Sequence, residues 1–544
     1  MKRNISRRSF LKKSLFTSTA LVASAGGLSG SGSVFRLTQP FDTIIRNGFI
    51  YTGDGSPPFK GDVGIKDGRI SALGKLGNYA DHITDAKGMA ISPGFIDLHT
   101  HTDTNLFQSA EGDSRIYQGI TTDIGGNCGG SPFPAGPYDN ATDFMEALKK
   151  QKIGINYGSF TGQGSIRSAV MGDWDQVADK QQIKAMQTLL EEQLEQGSMG
   201  MSCGLEYAPG AYASDEELVQ LLKVVAKHNK LFAIHMRNED DRVEQAVSEA
   251  IAMAKKAGAR LQISHLKAQN FDNWHKGPQL IRLIEDARSS GLDVAFDRYP
   301  YIAFSTGLSS FIPLDGRQGS TDDVLHRLKD KKTEKAFGDY AQSRFARFGG
   351  AKNVLISACA LPHNKETYMG KNLEECSRLS GKPAWDFVRD LLIEERLQSS
   401  IVVFAMTEDN VRLFLSHPLG MPASDGSVYS PQGRLAETMP HPRSYGTFPR
   451  FLGKYCREEK IMDFAQAVKK ITSLPSSRLG LKDRGLLVPG YRADVVVFDQ
   501  AKVIDTATFD NPHQFPKGIP HVWVNGVHTI RNGVHTGALA GHII

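Results

Sequence analysis

Strand-like and helix-like stretches alternate through the middle of this chain with a period of about thirty residues, and few architectures accept that spacing. Ser214 with Glu217 has the spacing of a capping box and opens an amphipathic helix to about Asn229, after which Leu231 to Met236 reads as a buried strand. A second helix from about Glu239 to Ala257 leads to the strand Arg260 to Leu266. A third, near Pro278 to Ser289, leads to Leu292 to Phe296. Strands joined through helices run parallel, so the pattern predicts an α/β fold.

Counting outward gives eight candidate strands: Gly94–His99, Thr121–Gly126, Ile155–Phe160, Met199–Gly204, Leu231–Met236, Arg260–Leu266, Leu292–Phe296 and one near Gly420–Ser424. Eight parallel strands predict a TIM (β/α)8 barrel over residues 91–475. The stretch 303–417 is too long for a β/α loop and is expected to be an insertion over the site. Residues 40–90 carry short β runs with turns at Asn47-Gly48 and Asp67-Gly68, and similar runs return within 476–544. The two ends are expected to meet in one small β-sandwich domain. A chain of 544 residues is long enough for a barrel with such a companion.

Residues 1–25 read as an address rather than as fold. Ser6-Arg7-Arg8-Ser9-Phe10-Leu11-Lys12 matches the twin-arginine pattern, and the apolar stretch from Leu15 ends in Ala23-Ser24-Ala25, a cleavage signal. It is too short to span a bilayer. The expectation is export by the twin-arginine machinery to the periplasm or beyond, with no stable membrane anchor. The formal charge of +5 includes six bases and no acid in this segment, which leaves −1 for the remainder. That balance gives no case for binding nucleic acid. The five cysteines are an odd number, so at least one is free.

Barrel sites form where strands finish, so metal-competent side chains there decide the chemistry. His99 and His101 close the first strand in Asp97-Leu98-His99-Thr100-His101, where the period of two puts both rings on one side. Cys128 follows the second strand, His235 ends the fifth, His265 ends the sixth and Asp425 follows the eighth. Thiolate and imidazole are ligands that zinc favours, and three protein ligands leave a position open for water. Cys128, His235 and His265 are read as the tight zinc site. His99 and His101, joined by Asp425, would form a second, weaker one.

The stretches Pro93 to Asp103, Gly126-Asn127-Cys128-Gly129, Gln262 to Lys267, Ser424-Asp425-Gly426, His441 to Arg450 and Arg484 to Asp494 together resemble the N-acyl-D-amino-acid deacylase (D-aminoacylase) branch of the amidohydrolase superfamily. Dihydroorotases and hydantoinases share the His-x-His motif but bridge their metals with a carboxylated lysine, where this chain offers a cysteine. The resemblance implies zinc-dependent hydrolysis of the amide bond of N-acyl-D-amino acids. Asp425 would take a proton from water and return it to the departing amine. Lys267, Tyr299 and Arg443 would hold the α-carboxylate of the substrate, with Tyr301 an equal candidate for Tyr299 and Glu206 a candidate for the pocket wall. Two other readings are an amidohydrolase of dipeptides or cyclic amides and a metal-binding protein without catalysis.

Overall fold

The computed structural model describes residues 40–544, so the twin-arginine segment lies outside the described residues. Eight short strands carry the frame: β1 (Phe95–Asp97), β2 (Ile120–Gly125), β3 (Asn156–Ser159), β4 (Gly200–Gly204), β5 (Leu231–His235), β6 (Arg260–Ile263), β7 (Val294–Arg298) and β8 (Gly420–Pro422). Each coincides with an expected strand to within a few residues. β1, β2 and β3 pair in parallel, and so do β4 through β8 in sequence order. Backbone contacts link the two sets at both seams. Met199 donates to the carbonyl of Ser159 at 2.8 Å, and Asp425 donates to the carbonyl of His99 at 2.9 Å.

The strands are buried on both faces, which is why they read as apolar runs rather than as alternating ones. Phe232 and Ile234 of β5, Leu261 and Ile263 of β6 and Phe296 of β7 pack outward against helices α1 (Asp215–Lys227), α2 (Val243–Ala257) and α3 (Gly277–Ser289) through Leu222, Val247 and Ile284. Leu231 and Ala233 face the opposite way, into a cluster with Leu98, Ile124 and Met421. The period of two therefore aims His235 to that inner side.

Two helix starts differ from the sequence reading. Ser214 caps α1 by accepting from the backbone of Glu217, but Glu217 does not reciprocate. Its carboxylate is buried against Arg167 and Gln163, because an uncompensated charge there would cost more than the second half of a capping box returns. Helix α2 begins at Val243 rather than near Glu239. That leaves Glu239 in the loop after β5, free to turn inward.

The insertion has its own antiparallel sheet of Ala303–Gly307, Ser400–Phe404 and Val354–Ala358. Helix α4 (Lys331–Arg347) and its neighbours cover this sheet around Phe311, Phe337, Leu392 and Val403. The helix Glu408–Ser416 instead packs Phe414 on Phe296 of β7, so it belongs with the parallel frame.

The two ends of the described chain meet in one nine-stranded sheet. Ala90–Pro93 pairs antiparallel with Val495–Phe498 and joins the segments on either side. Its core is built on Ile45, Val63, Ile91, Val495 and Trp523. The final residues leave this sheet: Ile544 donates to Tyr157 of β3 at 3.0 Å, and Tyr157 to His542 at 2.9 Å.

Candidate active site

The six metal-competent residues named from the sequence converge at one end of the parallel frame. Cys128, His235 and His265 form one group; His99, His101, Cys128 and Asp425 form another, and within each group the ligand atoms lie within 4.8 Å of one another. Cys128 belongs to both, with Sγ 3.4 Å from Nε2 of His99 and 3.4 Å from Nε2 of His265. The sequence reading assigned it to one. The sharing arises from the backbone of the loop after β2, where Gly126, Cys128 and Gly129 all take positive φ. Gly126 is required there twice over, since its φ is +68° and a Cβ would meet the carbonyl oxygen of Phe160 at 2.1 Å. His265 and Asp425 also hold positive φ, 37° and 50°.

His99, His235 and His265 each have a second ring nitrogen engaged, which fixes the face each turns inward. Nδ1 of His99 meets Asp297 at 3.1 Å. His265 presents Nδ1 to Lys267 at 2.7 Å and to Glu239 at 3.0 Å, leaving Nε2 for Cys128. His235 turns Nδ1 towards Nε2 of His265 at 2.9 Å and Nε2 towards Glu206 at 3.4 Å. Nε2 of His101 lies 3.0 Å from Asp425, whose other oxygen accepts from Arg443 at 2.7 Å.

Beneath these groups, Arg115 is fully buried between Asp97 of β1 and Asp123 of β2 and donates to the hydroxyl of Ser424 at 3.0 Å. One guanidinium therefore joins the strands that carry His99, Cys128 and Asp425. Sequence reading missed Asp297, Glu239 and Arg115. Asp297 had a legible signal, as an acid closing the apolar strand β7, whereas Glu239 was hidden in the expected first turn of α2.

The electrostatics suit a cation. Burial opposes ionisation of the Cys128 thiol, but His99 and His265 beside it hold it well below the ordinary thiol value. Burial likewise works against the Asp425 carboxylate, and Arg443 and His101 hold it well below the usual range. Burial would lower His101 and His235. Asp425 and Cys128 instead lift the first to about 9, and Glu239, Cys128 and Glu206 lift the second to about 10. Anionic donors that hold protons on their neighbouring imidazoles are donors whose protons a dication replaces. The thiolate and imidazole set fits zinc.

These groups open into a cavity of about 980 Å³. Lys267, Tyr299, Arg443 and Glu206 all line it. The Tyr299 hydroxyl is buried with no partner, and the guanidinium carbon of Arg443 lies 4.9 Å from its ring centre. Tyr301 turns its hydroxyl away towards Asp505 at 3.4 Å. Geometry thus separates two tyrosines that the sequence left equal. Lys267 carries more than was foreseen, because Glu239 pairs with it at 2.7 Å.

The amidohydrolase family matches residues 82–530. The chain belongs to that family. Among amidohydrolases, it is 32% identical over 525 residues to the D-aminoacylase of Alcaligenes xylosoxydans xylosoxydans, across 93% of this chain and 98% of the relative. It superposes with TM-score 0.78 on the crystal structure of N-acyl-D-glutamate deacylase from Bordetella bronchiseptica complexed with zinc and a phosphonate inhibitor. That pair shares 33% identity and spans 92% of this chain and 99% of the other. A solved D-aminoacylase with a binuclear metal center, described by one-metal activation and second-metal attenuation, aligns with TM-score 0.79 and 33% identity over 93% of this chain and 99% of that one.

Proposed function

We propose that this amidohydrolase uses zinc to hydrolyse the amide bond of N-acyl-D-amino acids, releasing a carboxylate and a D-amino acid. The observation that carries the reading is the thiolate of Cys128, shared between two imidazole groups at the floor of a cavity that also presents Asp425 and Arg443. Cys128, His235 and His265 would hold the tight zinc, and His99, His101, Cys128 and Asp425 a weaker second ion. Zinc held there supplies a Lewis acid that polarises the scissile carbonyl and makes water nucleophilic at neutral pH.

The rest falls to the chain. Asp425 takes the proton of the attacking water on the oxygen that faces His101 and delivers it to the departing nitrogen, a leaving group too basic to go unprotonated. Lys267, Tyr299 and Arg443 receive the α-carboxylate. Arg443 supplies a planar fork, Lys267 a point charge, and Tyr299 a hydroxyl that has no partner until substrate arrives. Fixing the carboxylate and the carbonyl together orients the α-carbon, which is how D and L substrates are told apart.

In this reading β1 to β8 close into a (β/α)8 barrel spanning 91–475, with the sheet of residues 40–90 and 476–544 as a small β-sandwich. The chain is exported, already folded around its metal, through the twin-arginine route to the periplasm.

The test is hydrolysis of paired N-acetyl-D- and N-acetyl-L-amino acids by the zinc-loaded protein, with Asp425→Asn as the blank. D-selective release that vanishes in the variant supports the reading. Release from dipeptides or cyclic amides alone would replace the substrate assignment, and zinc content without any turnover would replace the enzyme by a binding protein.

A further inference from the structure

Arg298 closes β7 immediately before Tyr299, and no step of the proposed reaction uses it. It is 1% exposed and stands outside the lining of the cavity. Its Nη2 donates to the carbonyl of Tyr301 at 2.8 Å, while Nε and Nη1 are buried without a hydrogen-bond partner. Among the described residues no carboxylate pairs with it, and Asp297 beside it is turned to His99 and Gln262. Burial lowers its pKa from the ordinary guanidinium value, yet a guanidinium keeps its proton at neutral pH. An uncompensated buried charge costs more than one hydrogen bond to a carbonyl returns, so stability alone does not account for Arg298.

The guanidinium carbon of Arg298 lies 4.4 Å from the centre of the Tyr299 ring. Two other cations approach the same ring, Arg443 at 4.9 Å and Lys267 at 5.8 Å. Both are matched, the first by Asp425 and the second by Glu239, each at 2.7 Å. Arg298 is therefore the member of the three whose charge no carboxylate cancels. A cation held over a phenol ring draws density from it, which makes the hydroxyl a stronger donor to an anion. The Tyr299 hydroxyl is the group that waits without a partner. The turn that carries it is clamped from a second side, where Nε of Arg450 donates to the carbonyl of Pro300 at 2.8 Å. A carboxylate that accepts from Tyr299 meets the orphaned donor and, across the ring, the unmatched cation.

We infer that Arg298 is a positioning residue of the α-carboxylate site, acting through Tyr299 by placing an uncancelled positive charge against its ring and so strengthening its hydroxyl as a donor. The inference rests on the deacylase reading, in which Tyr299 receives the α-carboxylate.

The experiment uses the zinc-loaded protein, the N-acetyl-D-amino acid it hydrolyses fastest and the α-carboxamide of the same compound. Arg298→Met should raise KM for the acid roughly five- to tenfold, the size of a desolvated cation–π contact, with kcat within about twofold. The carboxamide brings no charge to the hydroxyl, so its kcat/KM, or its Ki as a competitive inhibitor, should stay within about twofold. Arg298→Lys keeps the charge and should recover most of the loss. In the Tyr299→Phe background no hydroxyl is left to strengthen, and Arg298→Met should then move KM by less than about twofold. Zinc content and melting temperature report that the variants fold. Should the methionine variant not fold, the lysine variant decides: an acid-to-carboxamide ratio within about threefold of wild type supports the inference, and collapse of that ratio overturns it. Equal losses for acid and carboxamide, a fall in kcat with KM unchanged, or losses that multiply in the double variant overturn the inference and leave the deacylase standing. Absence of D-selective release by the unaltered protein overturns both.

Discussion

Replacing Arg115 by methionine tests whether one buried guanidinium holds the site's strands together. Arg115 meets Asp123 at 2.9 Å through Nε and at 3.1 Å through Nη2, and also pairs with Asp97. All three side chains are fully buried. Removing one partner of a buried ion pair costs about 3–5 kcal/mol, because the remaining charge has neither water nor a counter-ion. Here two carboxylates are left facing each other, so the upper end of that range is expected at pH 7.

The pH dependence has a definite sign. Burial, with Asp97 adding to it, already raises Asp123 above the ordinary carboxylate value, and Arg115 opposes the rise. Without Arg115 the folded-state pKa climbs further. An acid raised in the folded state keeps its proton there after the unfolded chain has lost it, so stability falls as pH rises above the unfolded value of about 3.9. Denaturant midpoints of Arg115→Met should therefore approach the wild type near pH 4 and diverge towards pH 7. Adding Asp97→Asn and Asp123→Asn should recover more than half of the loss. A loss under about 1 kcal/mol that does not change with pH, the size of an exposed pair, would refute the reasoning.

Three further outcomes follow. Cys128→Ser should remove bound zinc from both groups, whereas His101→Asn should lower only the metal beyond the first equivalent; elemental analysis after dialysis distinguishes them. Tyr299→Phe should raise KM for an N-acetyl-D-amino acid by roughly tenfold, the equivalent of ~1.4 kcal/mol, with Tyr301→Phe within about twofold, because of the two only Tyr299 lines the cavity and keeps a hydroxyl without a partner. Arg7→Lys with Arg8→Lys should leave the protein in the cytoplasm on cell fractionation, and wild-type distribution in that variant would refute the export reading.

The frame was legible because buried parallel strands are apolar runs of fixed spacing, and β4 to β8 announce themselves that way. So was the meeting of His99, His101, Cys128, His235, His265 and Asp425 at one end of the frame, because such residues finish several neighbouring runs at once. What escaped was any residue whose role depends on a partner distant in sequence. Glu239 looked like a helix start and is the counter-charge of Lys267, 28 residues on. Glu217 looked like a capping residue and is the partner of Arg167, 50 residues back. Cys128 could be placed at the site but not shared between two groups, because the sharing comes from a left-handed turn rather than from strand periodicity.

Cys128, His265 and Asp425 sit at φ values of 53°, 37° and 50°, where a side chain with a Cβ is disfavoured by about 1–3 kcal/mol each. Their donor atoms are therefore aimed by main-chain geometry that the surrounding turns must enforce. The donor set is not portable as side chains alone: grafting the same six residues onto the strand ends of another eight-stranded scaffold would reproduce the composition of the centre without its convergence. Whoever transplants this centre has to carry Gly126 to Gly129 and the turns around His265 and Asp425 along with it.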